Sequence, residues 1–186
     1  MSLTDPLSIP TDVLAHHEAG HAVAGTVLGI PYLAVRITPD DHGKTGVPFK
    51  RVPWTWGRPD QKLSGLTDEE WAELQDDAKW EAWKKKENDE FAIFMLAGKA
   101  AQIEYAGSAR PEDATFDYSF LQYRLPDCYA RLPELEQVAL DFVRRHWPAV
   151  QAVAAELIKR SELAPAEAEA IIRQAMPTIY MPQVTA

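Results

Sequence analysis

The chain has 186 residues, 46% of them hydrophobic, which suffices for one good core, and a single domain spanning 1–186 is the expected organisation. A net charge of −9 with a pI near 5.0 argues against nucleic acid or an anionic membrane as partner. The single Cys128 rules out an intrachain disulfide and a cysteine metal cluster, residues 1–10 lack the pattern of a secretory signal, and the longest apolar stretch, 22–30, is well short of the roughly 20 residues that span a bilayer; a soluble, cytoplasmic protein is expected.

Pro10, Thr11 and Asp12 predict a helix start, with Thr11 or Asp12 as N-cap, and Gly29 followed by Ile30 and Pro31 predicts its end. Leu14, His17, His21, Ala24 and Leu28 recur at three- and four-residue steps, so the two histidines lie on the stripe that faces the interior. This helix carries His17-Glu18-Ala19-Gly20-His21. Residues i and i+4 stand one above the other on a helix, so both imidazoles can reach one ion with Glu18 beside it. Hydrolytic zinc takes three protein ligands and leaves its fourth position to water, whose pKa falls to about 7 and whose proton a neighbouring carboxylate can remove. A shuffled chain of this composition would contain His-Glu-x-x-His about once in a hundred, which favours the metal reading over two core histidines bonded to backbone. Gly20 and Gly25 each cost a helix about 1 kcal/mol against alanine and mark close backbone approach. His16, turned about 100° from His17, cannot share its ion and is expected behind the site or at the surface.

Residues 33–38 alternate apolar and polar side chains and predict a half-buried strand, either an ordinary sheet strand or one whose free edge pairs with an extended peptide. The Gly- and Pro-rich stretch 40–65 reads as loop with at most a short strand over 47–52. Within it, His42-Gly43-Lys44-Thr45 imitates a phosphate-binding loop, but Thr38 stands where the first glycine belongs, and nucleotide binding is not expected. Thr67-Asp68-Glu69-Glu70 is a capping box, and Trp71, Leu74, Ala78 and Ala82 continue it as a charged helix to about Lys86, with Lys84, Lys85 and Lys86 on a solvated face. Trp80 and Trp83 fall off that stripe. With Trp54 and Trp56 they make 44–86 a Trp-rich insert, suited to core packing or to a lid over a substrate cleft.

Phe91, Phe94, Met95, Ala97, Gly98, Ala101 and Tyr105 predict a buried helix ending near Gly107, followed by a carboxylate-rich loop over 108–118 that leads into a short helix. Three further helices are predicted at 133–147, 148–160 and 165–176. The expected class is mainly α, six or seven helices with a small β element. A third metal ligand has to come from elsewhere in the chain. Glu104, Glu112, Asp113 and Asp117 are candidates, and Asp117 has Phe116 and Phe120 to help bury it.

Residues 17–22, His-Glu-Ala-Gly-His-Ala, resemble the HEAGHA core of the FtsH family of ATP-dependent zinc metalloproteases, and Val35-Arg36-Ile37-Thr38-Pro39 resembles the strand after it. Leu96-Ala97-Gly98-Lys99-Ala100-Ala101 is similar to that family's small-residue helix, Ala114-Thr115-Phe116-Asp117 to the segment bearing its aspartate ligand, and 147–163 to its closing helices. The resemblance implies a helical zincin-type, FtsH peptidase-like domain holding Zn2+ through His17, His21 and Asp117, with Glu18 as general base for hydrolysis of a peptide or unfolded protein. Tyr32 and Tyr118 are candidate second oxyanion donors. The chain departs from the pattern at Gln102, where the family has glutamate, at Asp113-Ala114 before the ligand segment, and at Phe116 in place of asparagine. Neither an ATPase module nor a transmembrane segment is expected within these 186 residues, so an ATPase or other protein partner would act in trans, and an oligomer is compatible. The alternative is a catalytically silent metal-binding adaptor or regulatory domain of the same fold, and the intact Glu18 speaks against it.

Overall fold

The computed structural model describes residues 9–38, 46–47, 62–63 and 65–177. The stretch 42–45, Trp54 and Trp56 lie outside the described residues, as does the short strand expected over 47–52 beyond Val47.

Helix α1 (Thr11–Val27) runs through the middle of the molecule, and every residue from 15 to 25 is buried. The sequence predicted one interior stripe; the helix is instead enclosed on all sides. It packs against the long α3 (Asp77–Ala106) and against α7 (Trp147–Arg160), with α8 (Pro165–Ala175) and β1 (Val35–Arg36) closing around it. Small residues permit this enclosure. A Cβ on Gly20 would lie 2.4 Å from the Ala97 carbonyl oxygen of α3, and one on Gly25 would lie 2.9 Å from the Tyr32 ring. Both glycines therefore mark the close approaches that the sequence predicted.

The N-cap of α1 is Pro10 rather than Thr11 or Asp12. Proline has no N–H to leave unsatisfied and its φ of −56° suits a residue at the helix border, while its carbonyl accepts the first helical bond, from Leu14 N–H at 2.9 Å. At the other end Gly29 takes φ +70°, and Ile30 N–H closes the helix on the Gly25 carbonyl at 2.8 Å.

Strand β1 is two residues long, shorter than the predicted 33–38. It pairs antiparallel with β2 (Glu162–Leu163), Val35 opposite Leu163 and Arg36 opposite Glu162. Its other edge is not free at Arg36, whose N–H and carbonyl both bond to Gly46, at 3.2 and 2.9 Å.

The capping box forms as predicted: Thr67 Oγ1 accepts from Glu70 N–H, and Glu70 accepts a bond from Thr67 N–H in return. Helix α2 (Asp68–Glu73), however, stops well before Lys86. The break comes at 74–76, where Asp76 caps a new helix by accepting from Lys79 N–H, and α3 then runs without interruption through the junction predicted near 87–90. That junction contains no Gly or Pro, and it is crossed by the i,i+4 pairs Lys85–Asp89 and Lys86–Glu90. Gly107, at φ +78°, ends α3 as predicted. A 3-10 turn (Pro111–Ala114) leads into α4 (Thr115–Arg124), α5 (Pro126–Ala130) and α6 (Leu132–Arg145). The eight α-helices among the described residues exceed the predicted number through α5, which starts on Pro126 at its first position. The class is mainly α, as expected. Among the described residues no helix is long and apolar enough to cross a membrane.

Candidate metal centre

Three helices meet where α1 carries His17 and His21. Helix α3 crosses over them with Phe94, Gly98 and Gln102, and α4 supplies Asp117 in its first turn, where the helix dipole favours a carboxylate. His17, Glu18, His21 and Asp117 are all buried, between 5% and 7% exposed. Burying two imidazoles and two carboxylates is costly unless they are paired or bind a metal.

Ring orientation decides what the histidines offer. His21 Nδ1 lies 2.8 Å from the Phe94 carbonyl oxygen, and His17 Nδ1 lies 3.4 Å from Gln102 Oε1. Both partner oxygens only accept, so each Nδ1 carries a hydrogen and each ring, when neutral, turns the lone pair of Nε2 inward. The two Nε2 atoms are 3.2 Å apart, and they stand 3.7 Å (His17) and 3.5 Å (His21) from Asp117 Oδ2. A tetrahedral zinc bound at about 2.0–2.2 Å sets its N and O donors roughly 3.3–3.6 Å apart, close to the 3.2–3.7 Å sides of this triangle. Among the described residues these are the three groups spaced to share a metal ion.

Burial drives the His17 imidazole down to about 4, and His21 beside it works in the same direction. Burial opposes charge on His21 as well, but Asp117, Glu18 and the Phe94 carbonyl outweigh it and carry His21 up to about 9. The trio thus calls for a positive charge at its centre, either a proton on His21 or a cation. Glu18 is near enough to feel the charges of His21 and Asp117. Burial pushes its carboxyl up to about 8 against the pull of His21, and among the described residues no hydrogen bond reaches it. Gly46, at φ +119°, lies beside it, so that a Cβ there would stand 3.5 Å from Glu18 Oε2.

The other candidates are engaged elsewhere. Glu104 pairs with Arg144 at 2.8 Å, and Asp113 is bonded by Arg110 and by the Gln102 amide. The Glu112 side chain lies outside the described residues. Tyr32 bonds Thr26, and the Tyr118 hydroxyl is held between Lys99 and Glu136, so neither hydroxyl is aimed at the trio. His16 is buried rather than at the surface. It stacks on Tyr105 with ring centres 3.7 Å apart and bonds the Asp12 carbonyl, on the side of α1 away from the trio. Trp80 and Trp83 stack on one another near the start of α3, fourteen and eleven residues before Phe94, which helix geometry converts to about 21 and about 17 Å along the helix from it. Trp80 is buried, which fits the packing reading at that position; Trp54 and Trp56, on which the lid reading turns, lie outside the described residues.

Sequence reasoning gave Gly98 no role of its own. A Cβ there would lie 2.3 Å from His21 Nε2 and 2.7 Å from His17 Nε2, in the space an ion shared by the trio would occupy. The available signal was a glycine inside a buried helix, where it costs about 1 kcal/mol. Gly98→Ala should leave the fold intact, since the imidazoles can swing aside, but lower zinc affinity at least about tenfold. Zinc titration beside a circular dichroism spectrum checks this, and normal zinc binding would show that α3 sits farther from the histidines.

Compared with protein-family models the chain matches none, and no curated protein matches it.

Proposed function

We propose that this chain is a zinc-dependent metallopeptidase of helical, FtsH peptidase-like zincin fold. The observation that carries this reading is the convergence of three lone-pair atoms, His17 Nε2, His21 Nε2 and Asp117 Oδ2, at zinc-ligand spacing beside a buried carboxylate, Glu18. The donor set suits zinc: two imidazoles and one carboxylate leave a fourth position open, the composition of a hydrolytic rather than a structural site. Zinc held there supplies a Lewis acid for the scissile carbonyl and lowers the pKa of water.

The chain's own groups do the rest. Glu18 accepts the proton of the attacking water and passes it to the leaving amine nitrogen, so that the C–N bond breaks as the amine becomes a neutral leaving group. Its carboxyl is buried beside the trio, and the positive charge of a metal there would favour the carboxylate form that accepts the proton. Phe94 and Gln102 hold the two imidazoles in the tautomer the metal needs. The substrate class is a peptide or an unfolded protein, reached by an ATPase or other partner in trans where unfolding is required, and the setting is cytoplasmic. The adaptor reading requires the same metal but no proton acceptor, so catalysis separates the two.

Purified chain should contain one zinc and hydrolyse casein; 1,10-phenanthroline should abolish the activity and added zinc restore it. A chain that holds zinc yet leaves casein and a panel of peptides intact would favour the adaptor.

A further inference from the structure

Behind His17 stands Gln102, and behind Gln102 two side chains, Asp113 and Arg110, to which the proposed reaction gives no role. Gln102 reaches His17 Nδ1 with Oε1 and donates its amide N–H to Asp113 Oδ2. Asp113 is gripped in turn by Arg110, whose Nε lies 3.1 and 3.3 Å from the two carboxylate oxygens and whose Nη2 lies 2.8 Å from Oδ1. The Asp113 carboxylate is almost wholly buried; burial pushes its proton affinity up, but Arg110 and Gln102 outweigh that and hold the carboxyl below the usual carboxylate range.

An amide is ambiguous in a way a carboxylate is not. Turned over, Gln102 would present an N–H2 to His17, and Nδ1 would have to accept, which moves the ring hydrogen to Nε2 and aims it at the metal position. The ionised Asp113 forbids this, because it only accepts and so demands the N–H2 end of Gln102. We propose that Asp113, fixed by Arg110, is a positioning residue: it sets the orientation of the Gln102 amide and through it the His17 tautomer that offers Nε2 to the metal. The proposal rests on the metal reading of the trio for its purpose, but the tautomer itself can be observed without any metal.

The test is Asp113→Asn in the full chain. Arg110 only donates, so it keeps the oxygen of the substituted amide and leaves the N–H2 of that amide facing Gln102, which then turns its own oxygen toward position 113 and its N–H2 to His17. Long-range 1H–15N spectra of zinc-free protein at about pH 10, where the His21 ring is neutral and no longer donates to His17 Nε2, should show the His17 hydrogen move from Nδ1 to Nε2, and competition with a chromophoric chelator at neutral pH should show zinc binding weaker by about 10–100-fold. In the double variant Gln102→Glu, Asp113→Asn, a carboxylate at 102 accepts from Nδ1 in either orientation, and both tautomer and zinc affinity should return to near wild type. An unchanged tautomer in Asp113→Asn overturns the proposal, as does a double variant as weak as the single one, which would make Asp113 a mere anchor of the turn. If the single variant unfolds while the double one folds and binds zinc normally, position 113 acts through 102 as proposed; if both unfold, the proposal fails. Wild-type protein that binds no zinc would remove the metal reading, and the tautomer shift would still decide the role of Asp113.

Discussion

Asp117→Ala should cost the chain its zinc. Two imidazoles remain in place, but the third corner of the triangle, 3.5–3.7 Å from both Nε2 atoms, becomes a methyl group, and zinc rarely stays on two protein ligands. The expected loss of affinity exceeds about 100-fold, about 3 kcal/mol or more, larger than the 10–100-fold typical of groups that only support a ligand. Because zinc that binds the folded chain stabilises it by mass action, the thermal midpoint of the wild type should rise with added zinc and that of Asp117→Ala should not. Glu104→Ala is the control: its carboxylate belongs to Arg144 on the surface, and zinc binding should be unaffected. Zinc content by elemental analysis reads both. If Asp117→Ala retains one zinc per chain, the third ligand lies elsewhere and the geometry proposed for the centre is wrong.

How far the centre could be read before folding depended on sequence distance. His17, Glu18 and His21 were legible because a helix turns a spacing of four into adjacency, and both ends of α1 are written in local residues, Pro10 at one and Gly29 at the other. Even so the cap was misplaced by one or two residues: Thr11 and Asp12 have capping side chains, but the proline before them already occupies the border position. Asp117 was a different problem. Glu104, Asp113 and Asp117 are chemically interchangeable carboxylates far from His21, and what separates them is their neighbours in space. Glu104 meets Arg144 and Asp113 meets Arg110, whereas Asp117 meets the imidazoles. Periodicity cannot supply that; the local hint was Phe116 and Phe120 beside Asp117, but Phe116 is 69% exposed, so the choice rested on the resemblance.

The long helix shows a second limit. Residues 87–90 are polar and interrupt the apolar pattern, so they read as a break, yet polar residues with i,i+4 ion pairs make good exposed helix. The true break at 74–76 rests on a cap, Asp76 to Lys79, that competes with many similar short signals in the sequence. This error matters for function, because a continuous α3 carries Trp80 and Trp83 away from the centre while bringing Gly98 and Gln102 onto it. Close approach of a backbone and the partners of a supporting amide are properties of packing, and one strand of text does not display them.

Glu18→Gln is the substitution that divides an enzyme from a metal-binding adaptor. The amide nearly matches the carboxyl in size and is uncharged, like the protonated form that burial favours by pushing Glu18 up to about 8, so the fold should tolerate it. Glu18 is also absent from the triangle of donors, so zinc content should remain at one per chain. What the amide cannot do is accept the proton of the attacking water. Beside a bound dication the carboxylate form is favoured by the opposite charge, and that form is the acceptor the mechanism requires. Loss of a positioned general base typically costs about 10²–10⁴-fold, so casein hydrolysis should fall into that range or below detection while zinc, circular dichroism and thermal midpoint stay close to wild type. Zinc lost together with activity would make Glu18 a structural part of the centre. Hydrolysis left intact would require another base, and among the described residues no other carboxylate stands beside the trio without a partner of its own.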